Sequence, residues 1–419
     1  MTGVTKLIGP FRQVVPMTGL PLKGGISDTE LTVVPDAGIS IEGDRIHSIG
    51  KFSRLLKGFE EAKIELVHLE GDQVCLPGLV DAHTHICFGG SRARDYALRN
   101  SGKTYLEIAK AGGGIWDTVT QTRKATKEKL VKNTVQLAKR HLQNGTTTLE
   151  VKSGYGLSID EELKMLRAIK EANEILAIDL IPTCLAAHML PKDYEGDAED
   201  YLAEIANILF PKLKEKRLTH RIDAFIEENA FSAEQIGPYF KKAREMGFDI
   251  TIHADQFSTG GSEVALQFNA LSADHLEAST QKEIELLAKS NVIATALPGA
   301  SLGLGCNFAP ARKILDAGGA LAIASDHNPG SAPMGNLLTQ AAILGTFEKL
   351  SNAEVLAGIT IRGAAALNLS DRGRLAEGCL ADLAIFHTSD YSEILYNQGS
   401  IKPSMVWKNG KLIFDMQKD

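Results

Sequence analysis

The sequence predicts an α/β fold: a (β/α)8 TIM-type barrel carrying a small β-sandwich built from both ends of the chain. Three observations lead there. Eight short apolar, β-rich runs alternate with helical stripes through the middle of the 419 residues. The two ends share a different pattern, alternating and broken by turns. Polar and metal-capable residues recur where the central runs stop. Strand and helix in repeated alternation argue for a parallel sheet wrapped by helices, and eight repeats argue for a closed barrel.

Residues 1–75 contain stretches such as LTVVPDAGISIEGDRIHSIG, which read as antiparallel strands joined by tight turns. The C-terminal LADLAIFH and PSMVWKNGKLIFD alternate in the same way, with Asn409-Gly410 as a hairpin turn. Residues 1–75 and 371–419 are therefore expected to form the sandwich, with the barrel in 76–370 between them.

The eight central runs are CLPGLVDAHTH, TTTLEVKSGYG, AIDLIPTCLAAH, RIDAFIEENAF, FDITIHADQF, NALSADHLE, NVIATALPGAS and ALAIASDHNPG. Helical periodicity fills the gaps. In SIDEELKMLRAIKEAN, Ile159, Leu163, Leu166 and Ile169 line one face, and Ser158 with Glu161 fits a capping box. EKLVKNTVQLAKRHLQ and QKEIELLAK carry similar stripes.

Composition narrows the function. A hydrophobic content of 44% supports one large core and a satellite. A formal net charge of −7 offers no basic face to nucleic acid. No apolar run approaches the ~20 residues that cross a bilayer, and the N-terminus has no secretory apolar stretch. A cytoplasmic protein with a small-molecule substrate is expected, and a homodimer, the commonest assembly of soluble enzymes. Cys75, Cys87, Cys184, Cys306 and Cys379 are scattered with no CxxC pair, which suits core packing better than disulfides or a thiolate metal site.

In a barrel of this kind functional residues sit at the C-terminal ends of the strands. Strand one ends in His83 and His85, two in Tyr155 after Lys152, three in His188, and four in Glu227 and Glu228. Strand five ends in His253, Asp255 and Gln256, six in Asp274 and His275, and eight in Asp326, His327 and Asn328. Alternate residues of a strand share a face, so the two imidazoles of His83 and His85 converge. A catalytic ion needs three or four nitrogen or oxygen ligands and an open position. His83, His85, His253 and Asp326 supply that set for one divalent or trivalent ion per chain, with zinc as the first expectation and iron as the alternative.

These motifs carry a resemblance. PGLVDAHTH, the strand-five His, the strand-eight SD and EGCLADLAIF resemble the amidohydrolase superfamily. GGSRARDY, KTYLEIAKAGGGI, EVKSGYGL, HADQF, ADHLE and SDHNPGS are similar to its imidazolonepropionase family, over essentially the whole chain. The resemblance implies hydrolysis of the cyclic amide of 4-imidazolone-5-propanoate to N-formimidoyl-L-glutamate. It places Arg92 on the propionate, helped by Tyr105 and Tyr155, and His188 near the carbonyl under attack. Asn328, Gly330 and Ser331 would contact the ring. Independently of the resemblance, the run Gly112 to Gly114 reads either as a flexible loop beside the substrate or as a plain turn. His275 and Asp326 would handle protons. Gln256 stands where members of the family carry Glu, and an amide can hydrogen-bond water or substrate but not take its proton. Strand four offers Glu227 and Glu228 where two-metal members use a carboxylated lysine, which favours one metal. Other mononuclear amidohydrolases, including deaminases of heterocycles, and a catalytically silent barrel remain open; the loops around Arg92, Tyr155 and 328–331 would discriminate.

Overall fold

The computed structural model describes residues 6–59, 64–228 and 230–418, with backbone only at 105, 106 and 109. All eight central runs contain a strand. In chain order these are β1 (Leu79–Asp81), β2 (Thr146–Lys152), β3 (Asp179–Ala187), β4 (Arg221–Phe225), β5 (Asp249–Ala254), β6 (Ser272–His275), β7 (Ile293–Ala296) and β8 (Ala320–Ile323). Each pairs in parallel with the next. The seam between β8 and β1 is closed just beyond the strand ends. There Thr84 bridges His327, the His85 N–H donates to the His327 carbonyl (2.9 Å) and the Asp326 N–H donates to the His83 carbonyl (3.0 Å). The barrel is nearly closed, and the seam is made by the residues expected to hold the metal.

Helices cover the barrel where the stripes place them, including Lys127–Gln143, Ile159–Ile175 and Gln281–Lys289. Leu163, Leu166 and Ile169 are buried against the sheet. The capping box expected at Ser158 does not form, because the Ser158 side chain makes no cap hydrogen bond. Glu161 pairs with Lys164 instead. Its neighbour Glu162, fully buried, turns back to accept the N–H groups of Gly154 (3.2 Å), Gly156 (2.8 Å) and Leu157 (2.8 Å). The first turn of the helix is thus used to fold the SGYGL loop that carries Tyr155.

The chain ends form one eight-stranded sheet with its own core of Ile8, Phe11, Ile39, Ile41, Leu383, Ile385 and Trp407 among others. The hairpin of Val34–Glu42 and Arg45–Lys51 is antiparallel, as is Pro403–Lys408 with Lys411–Asp415. Asn409 and Gly410 have φ of 51° and 72°, the left-handed conformation that the turn needs and that Asn and Gly tolerate. The sheet is mixed where an antiparallel one was expected, since Lys6–Val14 pairs in parallel with both Glu65–His68 and Gln73–Pro77. Gln73–Pro77 also pairs with Leu383–His387, and β1 begins two residues later, so one extended run joins sheet to barrel.

Candidate active site

His83, His85 and His253 are buried with their ligand nitrogens within 4.8 Å of one another. The Nε2 atoms of His83 and His253 lie 3.2 and 3.3 Å from that of His85. Asp326 Oδ1 stands 3.6 Å from His83 Nε2 and 3.5 Å from His85 Nε2. Strand alternation delivers this geometry: His253 points inward between the buried Ile252 and Ala254, while the fully buried Ile250 and Ile252 pack outward.

Behind the imidazoles stand carboxylates. His83 Nδ1 donates to Asp274 Oδ2 at 2.7 Å. His253 Nδ1 lies 3.0 Å from Asp223 Oδ2, although off the line of a good hydrogen bond. With the Nδ1 protons facing these acids, the Nε2 lone pairs of His83 and His253 meet at one point, which a cation satisfies and a shared proton does not. Burial, with the Lys152 ammonium or the neighbouring imidazoles adding to it, holds all three histidines well below the ordinary imidazole range, so they are neutral donors. The donor set fits a divalent metal.

The centre opens into a cavity of about 620 Å³ lined by His85, Arg92, Tyr155, His188, Gln256, His275, Asp326, Asn328, Gly330 and Ser331, with Phe225, Met189 and Ile115 among its apolar walls. Eleven expected residues, His253 among them, thus line one chamber, and His83 lies in its floor. Tyr105 begins a helix, and its side chain lies outside the described set.

Arg92 is mostly buried, and its Nε donates to Asp95 while Nη1 lies 3.5 Å from Thr118 Oγ1. Asp95 also accepts the Gly114 N–H (2.8 Å), and a Cβ on Gly113 would lie 2.2 Å from its Oδ1. The glycine run therefore wraps the acid that aims Arg92. Asn328 spends its amide locally: Nδ2 reaches Asp326 Oδ2 (2.8 Å) and Ser331 Oγ (2.9 Å), and Oδ1 accepts the N–H groups of Gly330 (2.7 Å) and Ser331 (2.8 Å). It fixes the carboxylate whose other oxygen faces the imidazoles.

His188 rests 5.6 Å from His85, ring to ring, and its Nδ1 is 2.9 Å from the Gly154 carbonyl, to which it must donate. Burial and the nearby His253 push its pKa down to about 3, so Nε2 is an acceptor. His275 is the opposite case. Burial lowers its basicity, but Glu277, with Nδ1 to Oε2 at 3.4 Å, and the buried aspartates carry its pKa above the usual value. Burial lifts the Asp326 carboxyl to about 6 against the pull of His275 and Asn328.

Several strand-end residues turn elsewhere. Asp255 leaves the strand at φ 51° and binds the Ser262 and Ser279 hydroxyls. Glu227 lines the cavity but accepts the Phe257 N–H (2.8 Å) and the Ser258 hydroxyl; Glu228 is exposed. His327 does not face the mouth, because it follows Asp326 on the alternating strand end and points outward to His141. Asp223, Asp95 and Glu277 are not singled out by the sequence pattern. The signal for Asp223 was a single acid inside the apolar run RIDAF; Asp95 and Glu277 stand three and two residues after Arg92 and His275.

Comparison with known proteins bears on the family and the fold. The amidohydrolase family model matches residues 74–413. The chain belongs to the amidohydrolase family. Within it, this amidohydrolase is 40% identical over 387 residues to the imidazolonepropionase of Bacillus cytotoxicus, covering 92% of this chain and 90% of that one. Its fold resembles that of the atrazine chlorohydrolase TrzN of Arthrobacter aurescens complexed with zinc (TM-score 0.73, 18% identity, 98% and 95% of the two chains). It is also like that of an adenosine deaminase of Xanthomonas campestris with bound zinc (TM-score 0.72, 18% identity, 99% and 94%).

Proposed function

We propose that this amidohydrolase opens the cyclic amide of 4-imidazolone-5-propanoate, giving N-formimidoyl-L-glutamate, at a centre of one zinc or iron ion held by His83, His85, His253 and Asp326. The observation that carries the reading is Arg92, paired with Asp95 and lining the same cavity as His85 and His253 of the converging trio. A cyclic amide over the centre and a carboxylate tail toward the guanidinium match that layout, as does the 40% identity to imidazolonepropionases.

Bound there, a divalent ion would polarise the carbonyl and bring the pKa of water from ~15.7 toward ~7. Hydrolysis joins the water oxygen to the ring carbonyl carbon and breaks the carbon–nitrogen bond, so one proton leaves the water and one reaches the departing nitrogen. Asp326, oriented by Asn328, accepts the first. His275, kept basic by Glu277, delivers the second and donates to the developing oxyanion. His188 accepts a substrate N–H, since its own proton is committed to Gly154; this assigns it a ring nitrogen and not the carbonyl oxygen. Gln256 holds water or substrate by hydrogen bonds. Tyr155 completes the wall around the tail, and Gly330 leaves room for Arg92, whose Nη1 would sit 3.2 Å from a Cβ there.

The reading extends to a cytoplasmic homodimer that binds no nucleic acid. Supporting it are the net charge of −7 and the exposed aromatics Phe347 and Tyr396 on the packed helices Leu337–Glu348 and Ser392–Tyr396. No helix among the described residues is long and apolar enough to cross a membrane.

A turnover panel tests the substrate. 4-Imidazolone-5-propanoate should be consumed at a kcat/KM far above that of its propionamide analogue and of guanine or cytosine. A purine or pyrimidine base as the better substrate would replace the reading with a deaminase.

A further inference from the structure

Beneath the metal centre lies a buried ionic cluster with no contact to the cavity. Lys152, Glu150 and Asp223 are fully buried and Asp274 is 1% exposed. The Lys152 ammonium is 2.7 Å from Glu150 Oε1, 2.8 Å from Asp223 Oδ2 and 3.8 Å from Asp274 Oδ2. Those two aspartate oxygens are the ones that face the Nδ1 atoms of His253 and His83. One cation thus stands between the backing carboxylates of two ligands that come from different strands, β5 and the end of β1.

Elementary electrostatics gives the arrangement a purpose. Asp223 and Asp274 lie side by side in a place closed to water, where like charges repel strongly. A lone pair of such carboxylates would move apart, taking the imidazoles they face with them. The ammonium between them offsets that repulsion. Glu150, whose Oε1 also accepts the Thr183 hydroxyl at 2.6 Å, anchors the ammonium. The Lys152 backbone N–H donates to the Thr84 carbonyl between His83 and His85 (2.9 Å), so the backbone that carries the ammonium is tied to the backbone that carries two of the ligands.

We propose that Lys152 is a positioning residue for the metal centre: it locks Asp223 and Asp274 together and so sets the orientation of His253 and His83 as a coupled pair. This deepens the proposed function's metal site and rests on its ligand assignment, but not on the identity of the substrate.

The test measures metal binding by the full chain, stripped with chelator and titrated with Co2+, by chelator competition and by the visible ligand-field spectrum. Lys152→Met should weaken Co2+ binding roughly 10- to 100-fold, the usual effect of removing an outer partner of a ligand, and alter the spectrum. Because one unpaired buried charge can prevent folding, the same measurement is made on Lys152→Met/Glu150→Gln, which removes a buried cation and a buried anion together. It should show the same weakening. Combining Lys152→Met with Asp223→Asn should weaken binding by less than the product of the single effects, since both act through His253. Wild-type Co2+ affinity and spectrum in a folded Lys152 variant, even one of lowered thermal stability, would overturn the proposal. Wild-type-like binding in Asp223→Asn and His253→Ala would instead remove the ligand assignment on which it rests.

Discussion

Two clusters of buried histidines and carboxylates lie on opposite sides of the same strand end, and they differ in one respect that decides what each can do. Inside the barrel, three Nε2 atoms from β5 and the end of β1 converge within 3.3 Å contacts, with Asp326 beside them. Outside it, His327 Nδ1 and His141 Nε2 share a single hydrogen bond of 2.8 Å, and His141 Nδ1 sits 3.5 Å from Asp81. Residue types and burial are the same. In the outer pair one ring's proton satisfies the other's lone pair, whereas in the inner trio the Nδ1 sides of His83 and His253 face acids and their lone pairs are left facing one another. Convergence, more than histidine content, makes a metal site.

The largest effect should come from breaking the inner trio. His253→Ala should abolish both bound metal and turnover; stoichiometric metal in that variant would remove His253 from the ligand set. Removing metal from the wild-type chain with a chelator should do the same reversibly, with activity restored in proportion to metal returned. Next in size, Arg92→Ala should weaken substrate binding by roughly 2–5 kcal/mol, seen in KM, because it strips a partner from a buried carboxylate while leaving metal content whole. An unchanged KM would move the substrate tail elsewhere.

Asn328→Ala frees one oxygen of Asp326 and two loop N–H groups. A fall of about 1–3 kcal/mol in transition-state stabilisation is expected in kcat with Arg92-dependent binding retained, and an effect confined to KM would place Asn328 on the substrate instead. The smallest effect belongs to the outer cluster. His141→Gln should keep full metal content, separating the two clusters in one variant. It also has a pH signature. Burial, and secondarily His327 and Arg140, hold His141 well below its ordinary 6.5, so the folded chain stays unprotonated where the unfolded chain takes up a proton. The stability tied to this group is therefore complete above pH 6.5 and lost as pH falls. Without His141, urea titrations should show a shallower loss below pH 6.5, by up to one proton; an unchanged slope would mean that His141 is protonated in the fold.

Much of this was legible in the sequence because two periodicities do the work. The eight runs could be found because a strand buried on both faces is continuously apolar, and the ends of those runs offered His83, His85, His253 and Asp326 among the polar groups from which ligand chemistry drew a metal set. What escaped was direction. His327 sits beside Asp326 in sequence but faces the opposite way, and Asp255 continues the pattern of His253 until a left-handed backbone turns it aside. Local pattern also failed at Ser158, where the capping box gave way to Glu162 folding a loop eight residues back. Asp223 escaped for another reason: the pairing of its carboxylate with His253 and Lys152 is made across strands, and no local spacing encodes it.

The most direct test of convergence as the origin of activity is a titration of metal-stripped chain with Zn2+ and, separately under reducing anaerobic conditions, Fe2+, with bound metal and turnover of freshly made 4-imidazolone-5-propanoate read on the same samples. The account predicts that activity rises linearly and stops at one ion per chain, and that His141→Gln follows the same line. Turnover in the stripped chain, or activity that keeps rising to two ions per chain, would contradict a single centre built on His83, His85, His253 and Asp326.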